Sequence, residues 1–306
     1  MSSTEFVRSF VPGHVTGLFR IMDGPEDPLQ RGSVGGGFSV EMGTLTTVAL
    51  EHRNETTIDV FYNGTPIDAP VTRMVVKRML DESGSEHVHV TVRHESALQI
   101  GAGLGASGAG ALGTALSLGE ALGQHMTVND AARHAHSAEV LNRTGLGDVI
   151  GQVVGGVEVR LKPGAPGIGQ AVRLEYPRDM HVVLAAASGI ETKAVLSDQD
   201  KRKRINESGG RLVADLHRSP SFETLIAKSR EFTEATGLSA PRVRKALKLL
   251  YDAGFEDSSM VMLGDSVFCF CDDGSVPRVI DLLCRLWPRS EVHDTHIAEV
   301  GGRVLR

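Results

Sequence analysis

Three short stretches carry residue types suited to handling a phosphate. Residues 99–110 read QIGAGLGASGAG, five glycines and three alanines around a single hydroxyl, Ser107. An apolar helical pattern follows at once, so unpaired first-turn amides and a positive dipole end would face whatever the small residues admit. Glu139 sits in a helical stretch over 128–142, with His136 three residues earlier on the same face. Asp148 closes the string RTGLGD. Oxygen ligands for Mg²⁺ and a carboxylate beside an attacking hydroxyl are what phosphoryl transfer asks of a protein. Each residue also has a plainer role open to it. Ser107 could be a helix N-cap, Glu139 a solvated carboxylate paired with Arg143 at i+4, and Asp148 a turn or helix cap.

The ordinary phosphate loop, G-x-x-x-x-G-K-[ST], is absent, because no lysine follows these glycines. Gly103, Gly105 and Gly108 form a G-x-G-x-x-G, but the preceding strand pattern ends near Arg93 and a second helix follows the first. A dinucleotide fold needs strands in both places, which disfavours nicotinamide or flavin. The chain has 306 residues and a net charge of −6, enough for one large or two ordinary domains and without a basic field for nucleic acid. The run Lys201–Arg204 reads as a solvated helix face. Three cysteines make no disulfide framework. Cys269 and Cys271 share a face of an apolar strand pattern and read as core thiols, in keeping with a reducing cytosol. The N-terminal MSSTEFVRSFVPGH lacks the apolar core of a signal peptide, and no run reaches membrane-spanning length.

The elements that must position these residues follow from pattern. Residues 44–51, 56–62 and 86–93 read as strands, the last with His87 and His89 on one exposed face. Asp68 is placed to cap a helix over 69–82 with Pro70 in its first turn. Thr127 and Asp130 form a capping box for 128–142. A glycine loop, DPLQRGSVGGG, occupies 27–37, and a strand-like GGVEVRLKP follows RTGLGD. Residues 163–170 (PGAPGIGQ) are the most linker-like stretch, which divides the chain into 1–170 and 171–306. The second part reads as a strand at 181–187, helices near 199–217, 221–236 and 240–253, a strand at 258–271, a helix at 275–287 and a strand near 291–299. Strands and helices without strict alternation indicate an α+β fold.

The string GAGLGASGAGAL resembles the second motif of the GHMP kinases, the superfamily of galactokinase, homoserine kinase and mevalonate kinase. FVPGHVTGLF at 10–19 is similar to the first motif, and MLGDSVFCF at 262–270 stands where the third, glycine-rich motif belongs, with one glycine instead of several. PGHVTGLF and DPLQRGSVGGG together resemble the archaeal pantoate kinases most closely, His14 included, where other members of the superfamily commonly carry a different basic residue. The resemblance implies an N-terminal domain like domain 2 of ribosomal protein S5 and a C-terminal ferredoxin-like domain. It implies ATP along Gly101, Gly103, Leu104, Gly105, Ala106, Ser107 and Gly108, and Mg²⁺ held by Ser107 and Glu139. Asp148 would stand by the acceptor hydroxyl, and Ser33, His136, Arg160 and Thr192 would contact pantoate, whose carboxylate calls for an arginine fork. The implied activity is phosphorylation of the 4-hydroxyl of (R)-pantoate, on the archaeal route to coenzyme A. The alternatives are another acceptor, as in the homoserine or mevalonate enzymes, or a ligand-binding relative without activity. A homodimer is the base-rate expectation for assembly.

Overall fold

Two long strands organise the chain. The computed structural model describes residues 6–188 and 192–306. Strands β1 (Phe6–Met22), β2 (Gly32–His52), β3 (Thr57–Tyr62) and β4 (Thr65–Pro66) precede helix α1 (Pro70–Ser83) and strand β5 (Val88–Ser96). Helices α2 (Ala106–Ala121), α3 (Val128–Asn142) and α4 (Asp148–Val154) lead to β6 (Val157–Lys162), β7 (Gln170–Leu174) and β8 (His181–Ala185). Helices α5 (Thr192–Ser197), α6 (Gln199–Arg218), α7 (Phe222–Thr236) and α8 (Pro241–Asp252) follow. Strands β9 (Ser258–Met260) and β10 (Val267–Cys271), helix α9 (Val276–Leu283), and strands β11 (Val292–Thr295) and β12 (Arg303–Leu305) complete the order.

Strand β2 is the spine of an eight-stranded sheet. It pairs antiparallel with β1 from Phe6↔Ala49 to Met22↔Gly32. Its other edge takes β6 over Gly35–Phe38 and β5 over Thr44–His52. β12 closes the free edge of β1, and β7 extends β6. The second sheet is antiparallel, in the order β11-β8-β10-β9. Phe38 of β2 meets Phe268 and Phe270 of β10 with ring centroids 5.1 and 4.9 Å apart, and Phe222 of α7 lies 5.0 Å from Phe270. Such aromatic pairs add about 0.5–1.5 kcal/mol each beyond their buried area, and these join the two sheets through one core.

The glycine segment expected as a loop at 27–37 is, from Gly32 onward, part of strand β2. Glycine lowers strand propensity, but this stretch lies between β1 and β6, where side chains do not fit. A Cβ on Gly37 would collide with the Val15 carbonyl, and Gly35, at φ +146°, presses against that of Leu18. Other expectations also shift. Asp68 caps nothing: Ala69 is the N-cap of α1, with Pro70 at the first turn. His87 precedes β5 with φ 59° rather than lying on its face. The strand expected over 258–271 is two strands joined by a tight turn, in which Val261 N–H donates to Ser266 O at 3.0 Å and Leu263 has φ +64°. Helix α4 was not expected. The capping box at Thr127 and Asp130 is present. Position 170, expected as a domain boundary, falls at the start of β7 inside the first sheet.

Helix α2 is apolar on all sides and packs against α1, α3, β1 and β2, as such a helix must. On the other face of β1 lie α6 and α7. Here two adjacent glycines of α6 have opposite roles. A Cβ on Gly209 would collide with the Phe19 carbonyl, whereas Gly210 faces open space. Gly210→Ala is expected to raise unfolding stability by about 0.5–1 kcal/mol, and Gly209→Ala to lower it by roughly 1–3 kcal/mol, in paired urea titrations. Equal effects at the two positions would contradict the packing of α6 on β1. Among the described residues no helix is long and apolar enough to cross a membrane. Cys269 and Cys271 are buried as expected, burial pushes both thiols upward, and no cluster of three metal-ligating side chains occurs among the described residues.

Candidate active site

The cleft is built where β5 runs into α2. Gly101, Gly103 and Gly105 have φ of 82°, 80° and 67°, left-handed values that only glycine adopts without strain. The loop they form is locked from two sides. His14 N–H of β1 donates to Leu104 O at 3.0 Å. A Cβ on Gly103 would lie 2.9 Å from the Met262 carbonyl, and one on Gly264 would strike the carbonyl of Ala102. The turn at 261–266, the weak third motif in the sequence, is thus the backing of this loop. Gly105 is the N-cap of α2 and offers no side-chain acceptor, so the first amides of a sixteen-residue helix are open to an anion.

Ser107 is therefore not the N-cap; it stands in the first turn of α2. Its Oγ–H donates to Glu139 Oε1 at 2.5 Å, and Thr144 Oγ–H donates to the same oxygen at 2.8 Å. Glu139 is not a solvated partner of Arg143 either. It is buried among the residues of α3, and Arg143 is the left-handed C-cap of that helix, turned toward Ser197. Burial pushes the Glu139 carboxyl up to about 7, against the two hydroxyl donors, which lower it, and with Asp148 raising it further. Opposite stands Asp148, the first residue of α4, partly open to the cleft. A Cβ on Gly145 would collide with Glu139 Oε2 and lie 3.2 Å from Asp148 Oδ2. Two carboxylates thus converge on a gap that only glycine leaves free.

Behind Asp148 lies a buried chain of charge. Asp148 Oδ1 contacts His14 Nδ1 at 2.9 Å, His14 Nε2 contacts Glu158 Oε1 at 3.1 Å, and Arg160 Nη1 donates to the same Oε1 at 2.7 Å. Burial would lower His14, but Glu158 and Asp148 together outweigh it and push the imidazole up to about 9. The ring is wedged between strands and helix: a Cβ on Gly151 would run into it, and one on Gly37 would lie 3.0 Å from Nε2.

Ser33 and Thr192 line the cleft with the loop and with Ser107, Glu139 and Asp148. The remainder of the SGIETK segment before Thr192 includes 189–191, outside the described residues. Gly108 faces Gln152 of α4 rather than the cleft. Arg160 is fully buried directly behind Gly147, which stands between it and the cleft; a Cβ on Gly147 would lie 2.5 Å from Ser33 Oγ and 2.9 Å from Arg160 Nε. That Nε finds no acceptor among the described residues. His136 does not line the cleft. Its Nε2 pairs with the Arg31 carbonyl at 2.9 Å, and burial lowers its pKa despite that bond. Thr144, His14 and Glu158 are site residues to which the sequence reading gave no role, although His14 lies in the first motif. The alternation of Glu158 and Arg160 on a strand and a histidine after Pro-Gly were the only signals for the last two.

Residues 70–156 match the family described as GHMP kinases N terminal domain. A pantoate kinase of Thermococcus kodakarensis is 36% identical over 281 residues, covering 90% of this chain and 91% of that protein. A solved structure described as a phosphotransferase related to the CoA biosynthesis pathway superposes with a TM-score of 0.88 at 34% identity, over 99% of both chains. The homoserine kinase of Cytophaga hutchinsonii shares the fold, with a TM-score of 0.72 at 17% identity over 100% of this chain and 99% of that one. The α+β architecture is thus that of the GHMP kinases.

Proposed function

Because the chain belongs to the pantoate kinase family, within the GHMP kinases, we propose that it transfers the γ-phosphoryl group of ATP to the 4-hydroxyl of (R)-pantoate. The observation that carries this reading is the convergence of Glu139, bonded to Ser107, and of Asp148 on the gap at Gly145, beside the open N-terminus of α2. The product, 4-phosphopantoate, would feed the archaeal route to coenzyme A. A cytosolic setting belongs to the same reading, supported by three free cysteines.

In this reading the amides of the loop and of the first turn of α2 hold the triphosphate. Glu139 is a buried acid whose neighbours are hydroxyls rather than a cation. With Ser107 it makes an all-oxygen set of the kind that suits Mg²⁺. When bound there, Mg²⁺ neutralises charge on the phosphates and so favours their transfer. Arg160 Nε and Ser33 Oγ face the same point beside Gly147 and receive the pantoate carboxylate. Asp148 keeps Oδ1 on His14 and presents Oδ2 to the 4-hydroxyl. As the acceptor oxygen bonds to the γ-phosphorus and the bond from that phosphorus to the bridging oxygen breaks, the hydroxyl proton passes to Asp148 and ADP leaves. The preceding geometry supports these assignments by burial, donor type and proximity.

The test is ADP release in a coupled assay with pantoate, homoserine or mevalonate as acceptor and Mg²⁺ present. Turnover is expected with pantoate and to depend on Mg²⁺. ADP release with homoserine or mevalonate but not with pantoate would overturn the substrate, and binding of pantoate by calorimetry without turnover would overturn the activity.

A further inference from the structure

His14 and Glu158 are fully buried, and the transfer as described gives Glu158 no part. Their geometry shows more than charge balance. Both ring nitrogens of His14 face carboxylate oxygens, at 2.9 Å and 3.1 Å. Two acceptors require a proton on each nitrogen, so the ring is an imidazolium. The charged groups facing it are Asp148 from α4 and Glu158, with Arg160 beside it, from β6; β2 and the phosphate loop bring Gly37, Ser39 and Gly105, none of them charged, to this end of β1.

The acceptor on Glu158 is a single atom. Oε1 takes both His14 Nε2 and Arg160 Nη1, while Oε2 is buried with no partner among the described residues. Two cations therefore share one oxygen. Whatever draws Arg160 away from it leaves more of that charge to His14. On the far side, His14 holds one oxygen of Asp148 and leaves the other toward the cleft.

We propose that Glu158 and His14 are positioning residues that link the carboxylate pocket at Arg160 to Asp148, so that the rate of phosphoryl transfer, and not only affinity, depends on an anionic group on the acceptor. The proposal rests on the pantoate kinase reading. A carboxylate on Arg160 takes up part of its charge, His14 gains the fuller charge of Oε1, and Asp148 is held firmly against the imidazolium. A neutral acceptor leaves Arg160 and His14 competing for Oε1, and Asp148 is held less well. Misplacement of a catalytic group by about 1 Å can cost on the order of 100-fold in rate.

The experiment compares pantoate with its neutral amide, 2,4-dihydroxy-3,3-dimethylbutanamide, in the wild type, Glu158→Gln and His14→Gln. With the wild type the amide is expected to lower kcat by about tenfold or more, in addition to raising KM. Glu158→Gln keeps the shape of the side chain. It is expected to lower kcat on pantoate by roughly 10- to 100-fold with little change in KM, and to shrink the kcat ratio of pantoate to amide. The alkaline limb of kcat, expected near 9 where His14 loses its proton, should move to lower pH in Glu158→Gln and vanish in His14→Gln. A purely structural role would move none of these limbs in a folded variant. A folded Glu158→Gln that alters KM alone and keeps the limb overturns the proposal. Should that variant not fold, a wild type for which the amide loses only affinity overturns it equally. A wild type that does not phosphorylate pantoate overturns the earlier reading instead.

Discussion

Asp148→Asn is expected to lower kcat on pantoate by about 10²- to 10⁴-fold, the range that a positioned proton acceptor contributes, with ATP affinity nearly unchanged. Asparagine keeps the volume of the side chain and an oxygen for His14 Nδ1, now 2.9 Å from Oδ1. What it removes is the carboxylate oxygen facing Gly145, the one proposed to take the proton of the 4-hydroxyl. The side chain is 23% exposed, so the change does not open a cavity in the core. Steady-state kinetics with pantoate, together with calorimetric titration of ATP, separate the two effects. A kcat within a few fold of the wild type would show that Asp148 neither receives the proton nor orients the hydroxyl. A loss confined to ATP binding would place it with the nucleotide.

Glu139→Gln is expected to inactivate the enzyme and yet stabilise the ligand-free fold above neutral pH. Glu139 is buried and held up to about 7, against 4.5 for an unperturbed carboxyl. The folded chain thus binds this proton more tightly than the unfolded chain does. Its contribution to stability is complete below about 4.5 and is lost as pH rises through about 7. The loss amounts to about 3 kcal/mol at 1.36 kcal/mol per pH decade. Glutamine keeps an oxygen for Ser107 and Thr144 and has no charge to bury. Urea unfolding of the ligand-free protein at pH 5 and pH 8 should show a decline for the wild type and a smaller one for Glu139→Gln. His14 adds a decline in the same direction, through about 9, in both proteins. Loss of activity by several orders of magnitude should accompany the gain, an exchange of stability for function. Equal pH dependence in the two proteins would mean that Glu139 is not buried as a charge.

The parts of this site carried by local pattern were legible in the sequence. The small-residue loop, the helix after it and the helix bearing Glu139 follow from composition and period, and Ser107, Glu139 and Asp148 lie on or beside them. Their plainer alternatives could be set aside only with coordinates, since a cap and a buried acid look alike in one dimension. Other features depend on distant neighbours. Gly35, Gly36 and Gly37 carry no strand signal because side chains are what produce one, and here the carbonyls of β1 and β6 leave no room for them. Helix α4 has seven residues, too few to show an amphipathic period. His14 meets Asp148 and Glu158 across 134 and 144 positions, a separation that no spacing rule spans. His136, which the resemblance put against pantoate, has its Nε2 on the Arg31 carbonyl at 2.9 Å, a partner that no pattern in the sequence announces.

The pairing of β12 with β1 sets an order of events during synthesis. Arg8, Ser9 and Phe10 are made long before their partners, Leu305, Val304 and Arg303. Until then the outer edge of β1 is an unpaired strand edge, open to any other extended chain nearby. The growing chain carries this open edge while everything between β1 and β12 is made, and residues 303–305 close it.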